Sequence, residues 1–296
     1  MTAAIIINQA FSGLTTAVFL FMTAIGLSLI FGVVRILNFA HGSFYMLGAY
    51  LAYQFSQYLG TGNLGFWGSA LLAASVVALI GLVVERLLLS RLYGKEELLQ
   101  LLFTYALVLV FADAVKAIWG VEQVSVSRPP ALAGGLNLAG TVIPQYSLFM
   151  SAVCVVLVLG LWLTIQRTRI GRIIRAAAAD REMVRALGIN VTQLNSSVFA
   201  VGTFLAGLGG ALVAPVTAIS LGMDAEIIIA AFIAVVVGGM GSFWGTLLGS
   251  LLYGQVLAFG IFLLPEFSLF AVFALMAVVL IIRPHGLLGS REAVRA

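Results

Sequence analysis

Long apolar runs, each about as long as a bilayer is thick and separated by short polar clusters, dominate the chain. A membrane helix needs roughly 20 apolar residues. Such runs fall at 9–34, 37–58, 67–89, 98–119, 146–165, 192–213, 227–239, 246–263 and 267–282. The pattern predicts an all-α polytopic membrane protein with about nine membrane segments. The seventh run is short and ends in Gly238-Gly239-Met240-Gly241, which predicts a broken or re-entrant segment. Two connections differ in kind. Residues 120–145 carry Arg128-Pro129-Pro130 and Gly134-Gly135, an irregular stretch whose backbone lipid could not satisfy. Residues 166–190 are polar, basic and alanine-rich, and the pattern there is helical.

Composition narrows the class further. Apolar residues make up 62% of the chain and charged ones 9%, against about 45–50% and about 25% in soluble domains. That excess excludes a soluble enzyme, whose surface must be covered by polar groups, and it excludes disorder. The one cysteine, Cys154, excludes an intrachain disulfide and multi-cysteine metal sites. No Lys or Arg precedes Arg35, so the first run lacks the positive flank of a cleaved signal and is expected to be the first span.

Charge sets the expected orientation. With the N-terminus outside, Arg35, the Arg86–Lys95 group, six arginines between 167 and 185, Arg283, Arg291 and Arg295 share one face, 13 of the 15 basic residues. Lys116 and Arg128 alone fall on the other. The basic face is the cytoplasmic one. The N-terminus is therefore expected in the periplasm and the C-terminus in the cytoplasm. Residues 1–296 are taken as one transmembrane domain with a cytoplasmic loop at 166–190. The net charge of +4 follows from this topology and needs no nucleic-acid partner.

Several chemistries are missing. The lone Gly94-Lys95 pair is followed by Glu96, so no phosphate-binding G-x-x-x-x-G-K-[ST] loop exists. No metalloprotease or serine-hydrolase motif occurs either. The chain is expected to be no enzyme and to hold no cofactor or metal. Asp113 and Lys116 lie three residues apart on one helix face and could neutralise each other. Glu85 sits at a cytoplasmic end where snorkelling suffices, and Asp224 and Glu226 are expected in an outer loop.

Three passages carry candidate function. In the first, Arg35, Asn38, His41, Gly42 and Ser43 interrupt an apolar stretch. Such residues suit either a helix break lining a water-filled path or a cytoplasmic turn with Asn38 as N-cap. Gly42-Ser43-Phe44 is echoed by Gly241-Ser242-Phe243 in the other half. Paired glycine-interrupted segments point to a transport path, although glycines also serve close helix packing. Asn38, His41, Gly42, Ser43, Gly239, Gly241 and Ser242 are the path candidates. The third passage, 168–188, holds a helix with Ile170, Ile173, Ile174 and Ala177 on one stripe. A second short helix, 182–187, follows, capped by Asp180 and closed by Gly188. Its apolar residues are Met183, Val184 and Leu187. These amphipathic helices need either a soluble partner or the lipid interface.

Further stretches complete a resemblance. They are Leu37-Asn38-Phe39-Ala40-His41-Gly42 with Met46-Leu47-Gly48-Ala49-Tyr50, and Gly171-Arg172-Ile173-Ile174-Arg175-Ala176 with Leu187-Gly188-Ile189. Gly238-Gly239-Met240-Gly241-Ser242 and the ending Arg283-Pro284-His285-Gly286-Leu287-Leu288-Gly289 follow in order. Together they resemble the permease subunits of the branched-chain (hydrophobic) amino acid ABC importers, the Liv-type family. The resemblance implies a multi-pass protein of the bacterial inner membrane. It implies, as partners, a second homologous permease, two cytoplasmic ATP-binding subunits that hold the ATP and magnesium, and a periplasmic substrate-binding protein. It implies a cobalamin-importer-like architecture with broken helices and the first helix missing. It also makes Gly171, Arg172, Arg175, Ala176, Asp180, Glu182, Met183, Leu187 and Gly188 the ATPase-coupling segment. One departure stands out: Ser43 occupies a position where the family frequently has an acid. A permease for urea, short amides or aromatic acids, an ion-coupled secondary transporter and a passive channel are the alternatives.

Overall fold

The computed structural model describes residues 3–60, 62–138 and 141–289. Helix α1, Ala3–Val34, is apolar on every face, and a helix of that kind must be surrounded. It is, with 83% of its apolar window buried. Around it stand α8 (Val191–Val213), α9 (Met223–Gly238) and α10 (Phe243–Leu263). Helix α2, His41–Leu59, lies against α8 and α3, Asn63–Leu87. Small residues permit this closeness. A Cβ on Gly48 of α2 would collide with the Gly207 carbonyl of α8, so only glycine allows the two backbones to touch.

The periphery has the opposite character. Helices α4 (Glu97–Trp119), α5 (Gln145–Arg167) and α11 (Ser268–Ile282) bury only 11–22% of their apolar windows. Val156, Phe270 and Ile281 stand out from this ring, and an apolar belt of this extent fits lipid or other membrane subunits. Asp113 and Lys116 are both exposed on α4. Cys154 is buried on α5.

Among the described residues, seven helical segments are long and apolar enough to cross a membrane. The two remaining expected segments are helices too, but of another kind. Helix α2 carries His41, Ser43, Gln54, Ser56 and Gln57, and α9 has only 16 residues, about 24 Å against a hydrocarbon core of about 30 Å. Both begin inside the protein rather than at its edge. Beyond the N-terminal end of α1, residues 120–138 and 141–145 form an organised cap. Gly135–Leu138 and Thr141–Pro144 pair as an antiparallel hairpin, Val124 bridges Ile219, and Arg128 donates from Nε to the Pro215 carbonyl at 3.3 Å. At the C-terminal end of α1, α6 (Arg169–Ala179) and α7 (Arg181–Ala186) form the segment expected at 166–190. Arg291 and Arg295 lie outside the described residues.

Candidate functional site

The site begins at a break. Helix α1 ends at Val34, and the chain turns through Arg35 and runs back beside α1 as far as His41, where α2 starts. The His41 ring donates from Nε2 to the Thr23 carbonyl at 3.0 Å. Thr23 lies 11 residues from the end of α1, so α2 starts about 16 Å inside it, near half the depth of a bilayer. Asn38 is not an N-cap. Ala40 holds that position without a side-chain bond, and the buried Asn38 amide has no protein partner for either its nitrogen or its oxygen. Thr23 Oγ1 and His41 Nδ1 are likewise unpaired. Buried polar groups without protein partners belong where water or a polar solute comes.

Ser43, fully buried, donates from Oγ to Asp224 Oδ2 at 3.2 Å. Asp224 was expected in an outer loop, but it sits in the first turn of α9 and is 4% exposed. A carboxylate there is favoured by the helix dipole, which is why α9 starts a turn earlier than its apolar run. The acid missing at Ser43 thus comes from across the contact. No Cβ fits at Gly42, which lies against the Asp224 backbone.

Above this pair opens a cavity of about 790 Å³, walled by the N-terminal half of α1 and by α2, α9, α10 and the cap. Tyr45, two residues past Ser43, and Glu226, two past Asp224, both face into it, and Glu226 is its one charged lining residue among the described residues. Phe19, Leu20, Ile227 and Leu257 supply apolar wall, and Thr15, Thr217 and Ser220 supply hydroxyls. On the other side of the pair, Leu27, Asn38 and Phe232 line a cleft of about 10 Å³, no more than one water would need. The chamber is therefore wide on the side of the cap and closed on the side of the break.

The other path candidates lie elsewhere. Gly239 packs on the Gly289 backbone, Gly241 on Gly32 near the C-terminal end of α1, and Ser242 caps α10 by accepting from Gly245 N at 3.1 Å. The break brings Asn38, His41, Gly42 and Ser43 together beneath the cavity and leaves Gly239, Gly241 and Ser242 about one α9 length away, toward the C-terminal end of α1. Tyr45, Asp224 and Glu226 escaped sequence reasoning. A pair of acids one turn before a short apolar run is the signal that could have found them.

Beside the C-terminal end of α1 the two short helices form as their caps dictate. Thr168 accepts from Gly171 N to start α6, and Asp180 accepts from Met183 N to start α7. Gly188 closes α7 at φ 80°, with Ile189 N donating to the Val184 carbonyl, the pattern of a left-handed helix stop. Ala177 and Val184 turn into the protein, while Ile170, Met183 and Leu187 are 58–72% exposed. Arg172, Ala176 and Glu182 are also exposed, and Arg175 donates to the Ile165 carbonyl of α5. Beside them Glu85 does not snorkel. It is fully buried and accepts from Tyr93 Oη and Ser196 Oγ, each at 2.5 Å. Burial, then that bond to Glu85, holds the Tyr93 phenol well above its ordinary range. Burial, then the charge of Arg35, lowers the Arg181 guanidinium from its own.

A chamber over a helix break, with a capped amphipathic pair at the far end, fits a transport subunit, and the comparisons agree. The family described as "Branched-chain amino acid transport system / permease component" matches residues 9–281. The chain belongs to this family. It is 31% identical to the high-affinity branched-chain amino acid transport system permease protein BraD of Pseudomonas aeruginosa, over 97% of this chain and 96% of that one. It is 28% identical to the corresponding permease protein LivH of Escherichia coli K12, over the same shares. A shorter stretch, 31% of each chain, is 33% identical to the ribose import permease RbsC of Haemophilus influenzae. No solved structure matches. As in the rest of this family, the chain is a multi-pass membrane permease.

Proposed function

We propose that this permease carries branched-chain and related hydrophobic amino acids from periplasm to cytoplasm as a subunit of an ABC importer. One observation carries the importer reading. Ile170, Met183 and Leu187 stand exposed on two capped helices at the basic end of the molecule, and an apolar surface on a polar segment calls for a protein to cover it. ATP-binding subunits docked there would supply the energy, since this chain has no phosphate-binding loop of its own. On this reading nine segments cross the inner membrane, with the N-terminus outside and the C-terminus inside. A second permease pairs with this one, and a periplasmic binding protein loads the outer chamber. The chamber suits the solute class. It offers one carboxylate, Glu226, to an ammonium group and apolar walls to a hydrophobic side chain.

A second reading has an observation of its own. Asp224 is buried near mid-depth at the start of a broken segment, where ion-coupled transporters hold their carboxylates. One experiment separates the two. Tagged permease is purified from its native membrane, and uptake into vesicles is followed for leucine, phenylalanine and urea with ATP inside. The importer reading expects ATP-binding subunits in the purified complex and leucine uptake that survives a proton ionophore. Uptake that collapses with the ionophore at constant ATP would give the second reading the field.

A further inference from the structure

The docking segment and the helix break are distant in the chain, yet two hydrogen bonds cross between them in opposite directions. Arg35, the residue after α1, donates from Nη2 to the Ala178 carbonyl near the end of α6 at 3.2 Å. Arg181, the first residue of α7, donates from Nη2 to the Val33 carbonyl in the last turn of α1. Each arginine takes a carbonyl that a helix end leaves without an intrahelical partner, and each cation stands where the helix dipole favours it.

The backbone at this point is unusual as well. Arg35 has φ 55°, the one positive φ on a non-glycine residue among the described residues, a conformation L-residues seldom adopt. That turn sends the chain back into the protein toward His41. The five residues between are held by packing, with Ile36 and Ala40 in the core, and by few hydrogen bonds, one of them from the Thr104 hydroxyl to the Leu37 carbonyl at 3.4 Å. On its other side Arg181 is half-buried beside Tyr93, whose hydroxyl reaches the buried Glu85 and through it Ser196 of α8.

We propose that Arg35 and Arg181 form a two-way clasp that makes α6, α7 and the end of α1 one rigid unit, and that this unit passes movement at the docking surface into the break at Asn38–Ser43. The clasp rests on the importer reading. A shift of the end of α1 reaches His41 within six residues, and from Ser43 it reaches α9 through Asp224. Both arginines are positioning residues, since neither faces the chamber.

Arg35→Gly is the informative variant, because glycine takes a positive φ freely and the turn survives while the guanidinium is lost. Arg181→Met keeps the unbranched stem and removes the donor. In complexes purified from the native membrane and reconstituted in vesicles, both variants are expected to retain the ATP-binding subunits and basal hydrolysis as the wild type does. Uptake per ATP hydrolysed is expected to fall about tenfold, equivalent to about 1.4 kcal/mol of coupling. Arg181→Lys, which restores a donor, should recover part of that ratio. A purely structural arginine would lower yield or ATPase retention and leave the ratio alone, and that result overturns the clasp. A further arm works in a Cys154→Ala background carrying Arg35→Cys and Ala178→Cys. There a short bifunctional thiol reagent should restore the ratio that the unlinked variant loses, and failure to restore it overturns the proposal. Absence of ATP-binding subunits from the wild-type complex is a different result, and it would overturn the importer reading itself.

Discussion

Ser43 and Asp224 are 181 residues apart in the chain and 3.2 Å apart in space. Nothing local in either stretch announces the other, so the bond was invisible in the sequence even though Ser43 was a candidate on its own. Its chemistry separates two roles. Asp224→Asn keeps an oxygen for the Ser43 hydroxyl and removes the charge, whereas Asp224→Leu leaves a buried hydroxyl unpaired at a cost of about 1–3 kcal/mol. The leucine variant should therefore unfold at a lower temperature in detergent than either the wild type or Asp224→Asn. Uptake should fall in both if the charge serves the path. An Asp224→Asn protein with wild-type uptake would make the carboxylate a packing group. His41 was legible as a polar residue in a break. Its bond to the Thr23 carbonyl, which places the break in depth, was not.

Among the elements, α6 and α7 were the most legible. Asp180 and Gly188 were legible as cap and stop because such bonds span about one turn, whereas Thr168, which caps α6, read as part of the helix. Met183, Val184 and Leu187 share one apolar stripe in the sequence, and in the structure Val184 packs inward while Met183 and Leu187 face out, because a six-residue helix pressed on a protein surface must spend one face there. Met183→Asp should accordingly leave membrane content unchanged while weakening ATPase co-purification by about one to two decades, the worth of one buried methionine at about 1.5–3 kcal/mol. Gly188→Val should act through the backbone instead. Open space surrounds that position, but φ 80° resists a β-branched residue, so α7 should lose its stop and ATPase retention should fall with it. Full ATPase recovery in Met183→Asp would return the segment to the lipid interface. Helix α9 was the least legible, since its first turn is made of residues too polar to read as membrane.

At the scale of the molecule, orientation is open to direct measurement. Reporters fused after Lys95 and Arg185 should be cytoplasmic, and one near Pro130 periplasmic. In the fold, Arg35 and Arg181 each donate to a backbone carbonyl at one end of α1, and Arg128 donates to the Pro215 carbonyl at the other. A periplasmic reporter at Arg185 would remove both the orientation and the docking surface. The layering by burial, α1 and α8 at the centre and α4, α5 and α11 outside, was not visible beforehand. All five are apolar, and in lipid hydrophobicity does not sort inside from outside.

The sequence by itself determined the class, the approximate helix positions, the basic face and the capped segment at 168–188, because bilayer thickness, charge asymmetry and capping bonds all act locally. Tertiary structure alone decided which helix stands at the centre and where two helices start below the surface. It alone joined Asp224 to Ser43 and Arg181 to Val33. Those choices depend on where glycines let backbones meet, as at Gly48 and Gly207. They depend also on which buried polar groups find partners across the chain, and such contacts form only when distant segments are packed together.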